Sequence, residues 1–411
     1  MEKKSTCAVV GGGVAGIVAA YLLQRRYQVD LWESADRLGG HTNTFVVPQG
    51  EDEGLGVDTG FIVFNGDTYP LFQRFLAELG VASQLSDMSF GYFCERSGWG
   101  YGGHDLNTFF GQRDKIFHPD FWRFALDVAR FNRNSLESLR RGQIGGTLRD
   151  YLRPYTGTFV RHYIQPLGSS VWSAPLERIL DFPAYTFVRF FANHGLLRVV
   201  QRPDWFTVAG GSHRYVQAFS KSFQGEVRLS APVRRVRAVG KGYEVEGRAY
   251  DKVVMATHAD IALAQLEQPS ARQREALGSW RYLANRAVLH CDDSLLPANF
   301  RLRASWNYRR GKGSDGLPTL TYDMNRLQSL SSRRRYLVTL NPQLEIPSAQ
   351  VLGEWEYHHP QFDRHSETSQ ALLPNLNDGT IAFCGSYHRF GFHEDAVMSA
   401  VAAAASLGCA W

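Results

Sequence analysis

Three glycines and one acid carry the first chemical signal in this chain. Gly11, Gly13 and Gly16 form G-x-G-x-x-G within "AVVGGGVAGIVAAYLL", and Glu33 follows about twenty residues later. The first glycine allows a tight turn, the second lets backbone approach a pyrophosphate, and the third lets a helix pack closely on a strand. An acid at that distance can accept both hydroxyls of an adenosine ribose. A second signal lies near the C-terminus, where Gly391-Phe392-His393-Glu394-Asp395-Ala396 runs into a train of small residues. Acids in a first turn suit the helix dipole, and the free N–H groups of a helix start can meet a phosphate, a carboxylate or the carbonyl edge of a ring. Two histidines stand where a proton could be moved near neutral pH: His393 inside this cluster and His258 after an apolar strand.

The elements that must position these residues are legible as periodicity. Residues 6–10 read as a buried strand, about 14–26 as an apolar helix and 28–32 as a second strand, one βαβ unit. "VAGGSHRYVQAF" (208–219) reads as a glycine turn and an amphipathic helix, and the alternating valines that follow, to about residue 255, as strands and a hairpin. "DGTIAFCGSY" (378–387) is the last strand before the C-terminal helix. Between these pieces lie aromatic-rich segments. Residues 118–142 read as a capped helix with an aromatic stripe and 183–200 as another helix, while "NRAVLHC", "RASWNYR", "LPTLTYDMN" and "YLVTLN" read as strands. Neither an internal repeat nor a low-complexity linker is visible.

At 411 residues two domains are the expectation, and 44% hydrophobic with 21% charged residues fits a globular enzyme. The net charge of +5 is mostly arginine, because lysine occurs only at Lys3, Lys4, Lys115, Lys221, Lys241, Lys252 and Lys312. Arginines at 333–335, within 309–313 and at Arg140-Arg141 suit a solvated face, or a peripheral contact with an anionic membrane surface. No basic stripe accompanies a nucleic-acid motif, so nucleic acid is not an expected partner. Cys7, Cys94, Cys291, Cys384 and Cys409 are scattered, which argues for no disulfide framework, no zinc and no other metal site, and fits a cytoplasmic location. "MEKKSTCAVV" is too short and too quickly strand-like for a signal peptide, and no window is long and apolar enough to span a bilayer.

After Glu33 the chain continues E-x-x-x-R-x-G-G, through Arg37, Gly39 and Gly40, and then D-x-G at Asp58 and Gly60. With the G-x-G-x-x-G turn and the C-terminal cluster, this resembles the flavin-containing amine oxidoreductase superfamily, which takes in monoamine oxidases, protoporphyrinogen oxidases and phytoene desaturases. The "GFHEDAVMS" variant is similar to bacterial predicted NAD/FAD-binding oxidoreductases. The resemblance implies non-covalent FAD and an α/β fold: a Rossmann-like, glutathione-reductase-like FAD-binding domain from residues 1–64, 208–259 and 378–411, with an inserted α+β substrate domain from 65–207 and 260–377. It implies cofactor contacts at the glycines and at Ala15, Ser34, His41, Thr42, Phe61, Val233, Thr257, Gly385, Ser386, Phe392, His393, Glu394, Asp395 and Ala396. The C-terminal helix start would lie beneath the flavin pyrimidine, with the amides of Glu394 and Asp395 mattering more than their carboxylates. Ser386 stands where the family usually has an acid, and His41 where it often has arginine.

Amine-oxidising relatives place a lysine on the strand that enters the substrate domain. Here "WRYLANRAVLHC" (280–291) offers Asn285 and Arg286 instead. The expectation is therefore an FAD-dependent oxidoreductase that dehydrogenates an apolar or lipid substrate, such as an unsaturated acyl chain, by hydride transfer to flavin N5. A double-bond isomerase, an amine or amino-acid oxidase and a non-catalytic flavin protein serving a partner remain alternatives. Trp172, Trp306, Tyr322, Asn325 and His358 are the expected substrate contacts, with His258 and His393 as catalytic candidates. His358 and His359, as neighbours on a strand, would face opposite ways.

Overall fold

The computed structural model describes residues 4–198, 203–311 and 317–411. Five parallel strands form one sheet in the order Glu226–Arg228, Gln28–Trp32, Thr6–Val10, Lys252–Met255, Ile381–Phe383. A parallel sheet covered on both faces needs apolar side chains on both, and Thr6–Val10 alternates accordingly. Cys7 and Val9 join one core with the helices Val14–Leu23, His213–Ser222 and His393–Ser406. Ala8 and Val10 face a second core that continues into the rest of the molecule. Ala400, Ala403 and Ala404 are fully buried, so their short side chains let the C-terminal helix pack close to the N-terminal one.

Seven strands form the second, mixed sheet, in the order Val351–Gln361, Arg281–His290, Leu337–Leu340, Thr319–Asp323, Trp306–Arg310, Phe90–Cys94, Trp99–Gly102. Helix Pro119–Arg140 and a π-helical turn at Val160–Ile164 pack against its aromatic residues, and helix Ala184–Asn193 packs on Pro119–Arg140. The fold is thus α/β, a Rossmann-like sheet with an inserted α+β region.

Several local expectations are corrected. The first helix stops at Leu23, where Arg25 and Arg26 tighten to three-residue backbone bonds that turn the chain so that the Tyr27 hydroxyl reaches Leu407 O at 2.7 Å. The reading of 183–200 as one helix fails at Asn193. There His194 Nδ1 bonds Phe190 O, and Gly195, at φ +68°, reverses the chain; residues 199–202 lie outside the described residues. The long helix starts on Pro119 without a side-chain cap from His118. The arginine clusters are largely engaged: Arg141 pairs with Glu137, Arg335 with Asp293 and Arg309 with Glu95, while Lys312 and Gly313 lie outside the described residues. No helix among the described residues is long and apolar enough to cross a membrane.

Candidate active site at the junction of two cavities

A groove of about 580 Å³ crosses the C-terminal ends of the parallel strands, where open α/β sheets bind ligands. Its floor is the glycine turn. Gly11 has φ +107°, and a Cβ there would sit 2.7 Å from Ala256 O; at Gly13 a Cβ would meet nothing within 4 Å, so that face is open. A Cβ on Gly16 would lie 1.8 Å from Gly11 O, which is why the helix can follow the turn so closely only with glycine there. Gly16 does not line the groove, whereas Gly11, Gly13 and Ala15 do. At the end of the second strand Glu33 and Ser34 line it, with Oε2 of Glu33 accepting from Gly12 N–H at 2.7 Å. Arg37, Gly39, Gly40 and His41 continue the wall, and the Arg37 guanidinium is fixed by the carbonyls of Gly40 and Thr42, each at 3.0 Å. Val233, Thr257 and His258 form the opposite side, and Gly385, Ser386, Phe392, His393 and Ala396 the end.

A second cavity, of about 280 Å³, lies against the seven-stranded sheet, with Phe90, Tyr101, Trp306 and Tyr322 in its wall. His41, Tyr357, His359, Pro360, Gly391, Phe392 and His393 line both spaces and form their junction. Trp172, Trp306 and Tyr322 line this second cavity, as do Gly60 and Phe61, which sit on its side and not in the groove. The Phe61 ring stacks on His393 at 3.6 Å and 8°.

Other expected contacts, His358 excepted, lie apart from both spaces. Asp58 is fully buried and accepts from Ser212 N–H and Oγ, Thr44 Oγ1 and Gln328 Nε2; burial pushes its carboxyl up to about 7. Thr42 turns its hydroxyl to Tyr215 Oη. The Glu394 carboxylate accepts from the N–H groups of Leu71 and Phe72, both at 2.9 Å, and so caps the helix Pro70–Glu78; Asp395 accepts from Phe390 and Phe392 N–H. Burial raises these two carboxyls to about 7 and about 6. Asn325 is a loop brace that bonds Ser332, Arg334 O and Tyr336 N–H. His358 lines the groove and bonds Glu356, while its neighbour His359 reaches the junction.

Burial holds every histidine at the junction neutral. His393 is lowered to about 3, and its Nε2 meets Tyr215 Oη at 3.0 Å and Thr42 Oγ1 at 3.3 Å. His258 and His359 are lowered to about 4, and His41 well below its ordinary value, by burial first and then by the neighbouring imidazoles. The His258 ring stacks on Tyr282 at 4.2 Å, and it lines the groove only. Sequence reasoning missed Trp355 and Tyr357, which with His359 recur at every second position of one strand. That alternation was the available signal.

A Rossmann-like sheet with a glycine-floored groove meeting an apolar cavity is the arrangement of a dinucleotide-binding protein. The model of the flavin-containing amine oxidoreductase family matches residues 14–299, and the chain belongs to that family. That family is one of flavin-containing oxidoreductases, and FAD is the cofactor it implies. The chain is similar to the zeta-carotene desaturase of Solanum lycopersicum, 26% identical over 207 residues, which are 50% of this chain and 31% of that protein; the match therefore spans about a third of the relative's length. Among solved structures, a putrescine oxidase variant redesigned at its cofactor site superposes with a TM-score of 0.70 at 16% identity, covering 98% of this chain and 99% of the other. A fatty acid isomerase from P. acnes that produces CLA superposes at 0.63 with 12% identity, covering 97% and 98%. These structural likenesses carry the fold alone.

The residues present fit FAD. The open Gly13 face and the adjacent helix start suit a pyrophosphate, and Glu33 lines the same groove. The start of His393–Ser406 lies at the end of the groove, where first-turn N–H groups suit negative charge on the ring. Among the described residues no cluster of metal-binding side chains is present.

Proposed function

We propose that this oxidoreductase dehydrogenates an apolar, acyl-chain substrate such as an unsaturated fatty acid, whose chain lies in the aromatic cavity. FAD, when bound, supplies the acceptor for a hydride. The observation that carries the reading is the composition of the cavity wall: among the described residues it contains no Asp, Glu, Lys or Arg. An alkylammonium ion would enter without a carboxylate partner, at a desolvation cost of several kcal/mol. Aromatic faces such as Trp172 and Trp306 return about 2 kcal/mol to a desolvated cation. The desolvation cost exceeds that return, so the wall suits the uncharged acyl chain, and a carboxylate head, which meets the same cost, needs a hydrogen-bond donor at the end of the cavity.

In this reading Phe61, Trp172, Trp306 and Tyr322 exclude water and hold the chain. His393 is proposed as a fixed, neutral part of the cavity wall, because its ring lines the cavity while Nε2 is tied inward to Tyr215 and Thr42 and burial holds it far below the value a proton carrier needs. His258 lines only the groove, so its role is in shaping that wall.

Anaerobic mixing of the FAD-loaded protein with linoleate, and separately with dodecylamine, tests the proposal. Linoleate is expected to bleach the flavin and yield one oxidised product, with the amine leaving the spectrum unchanged. Bleaching by the amine alone would overturn the reading. Steady product formation from linoleate with the flavin remaining oxidised and no acceptor present would replace dehydrogenation by isomerisation.

A further inference from the structure

A chain of hydrogen bonds fixes which nitrogen of His359 carries its proton. The backbone N–H of Arg286 donates to Asn341 Oδ1 at 3.0 Å, and a backbone N–H can only donate, so the Asn341 amide has one orientation. Asn341 Nδ2 therefore donates to Asn285 Oδ1 at 2.8 Å. The Asn285 Nδ2 donates to Leu283 O at 3.0 Å, which confirms the sense of that amide, and spends its other hydrogen on His359 Nδ1 at 3.2 Å. Nδ1 must accept, so the proton sits on Nε2. Asn285 and His359 are diagonal neighbours on paired strands, with Asn285 opposite Tyr357, which holds the ring in place.

Nε2 of His359 makes no hydrogen bond among the described residues and is not among the sealed polar atoms, and the residue lines both groove and cavity. Of the other open groups of the wall, the Tyr69 and Tyr322 hydroxyls lie in the cavity and not at its junction with the groove, and His41 at the junction has, among the described residues, no hydrogen bond that fixes its tautomer. Trp306 Nε1 and Tyr101 Oη are shut away from the space, and the Tyr357 hydroxyl is engaged by Asn43 and Thr59. We propose that His359 is a specificity-determining residue, a neutral Nε2–H donor at the junction that anchors a carbonyl or carboxylate oxygen of the acyl substrate. The inference rests on the acyl-chain reading above and adds the polar group that reading lacked. An ammonium head has no lone pair to accept this donor, so the same residue selects against protonated amines. Burial keeps the ring from acquiring charge, lowering it to about 4, so the donor keeps its sense at neutral pH.

The test uses the full-length, FAD-loaded protein. Linoleate binding is followed by the change in flavin absorbance for the wild type, His359→Phe and His359→Gln. Loss of the donor in His359→Phe is expected to weaken linoleate on the order of tenfold or more, and the amide of His359→Gln to restore most of it. Nitrogen NMR of histidine-labelled protein should report the Nε2–H tautomer for His359. Linoleate binding by His359→Phe as tight as wild type, or an Nδ1–H tautomer, would overturn the anchor while leaving the acyl reading intact. A shifted flavin spectrum in ligand-free His359→Phe would mean that the donor is spent on the flavin, and would also overturn it. Failure of the wild type itself to bind linoleate would instead remove the acyl reading, and the anchor with it.

Discussion

Glu33 and Asp58 show two carboxylates of similar sequence standing with opposite fates. Glu33 follows a strand at the groove; one oxygen accepts from Gly12 N–H at 2.7 Å and the other from Ala35 N–H at 2.8 Å, so it stiffens the glycine turn while lining the groove. Glu33→Ala is expected to weaken FAD by about 1.5–3 kcal/mol, the range for a charge-assisted hydrogen bond. Titrating apoprotein with FAD and following fluorescence quenching checks this, and an unchanged affinity would remove Glu33 from the site. Its position was legible because spacing along one βαβ unit is local information. Asp58 was not legible in the same way. Its donors come from Ser212 and Gln328, remote in sequence, and nothing in D-x-G reports that the carboxylate is consumed inside the fold. For the same reason the cavity side of Gly60 and Phe61 could not be seen from their motif.

At the scale of elements, the C-terminal cluster links two helices. The acids after Gly391 were expected in the first turn of a helix, and that is where they sit. Their partners were not foreseeable: Glu394 reaches across to the start of Pro70–Glu78, whose own N-cap, Tyr69, supplies no side-chain bond. Glu394→Ala would leave two N–H groups, of half-buried Leu71 and buried Phe72, without an acceptor. The expected cost is about 2–4 kcal/mol, since each orphaned buried donor costs about 1–3 kcal/mol. Denaturant unfolding of the FAD-loaded protein measures it, and a midpoint within error of wild type would show that water replaces the carboxylate. Strands and helix cores were readable because burial imposes their periodicity. Helix ends at Leu23 and Asn193 were not, because a hydroxyl-to-carbonyl contact from Tyr27 and a ring stack at His194 decide them.

For the whole molecule, the buried titratable groups set how stability responds to acid. His194, His258, His359 and His388 are lowered to about 4 and His393 to about 3, each chiefly by burial. Between the unfolded value near 6.5 and those folded values the unfolded chain binds protons that the native state refuses, so stability falls as pH falls, by about 1.4 kcal/mol per pH unit for each histidine. Four carboxyls oppose them, Asp323 among them by burial. Asp58 and Glu394 are raised to about 7 and Asp395 to about 6, so between about pH 4 and those values the native state holds protons the unfolded chain has released, and this contribution is lost as pH rises. The histidines outnumber the carboxyls and the two windows overlap, so net stability should decline on acidification from about pH 7 to about pH 5. His388 isolates the effect, because its Nε2 is buried without a partner and the residue lines neither groove nor cavity. His388→Phe should flatten the decline by about one proton's worth, with little change near neutrality. Thermal melts of the FAD-loaded wild type and variant across this range give the slopes directly; a wild-type melting temperature that rises with acid would mean that the carboxyls dominate.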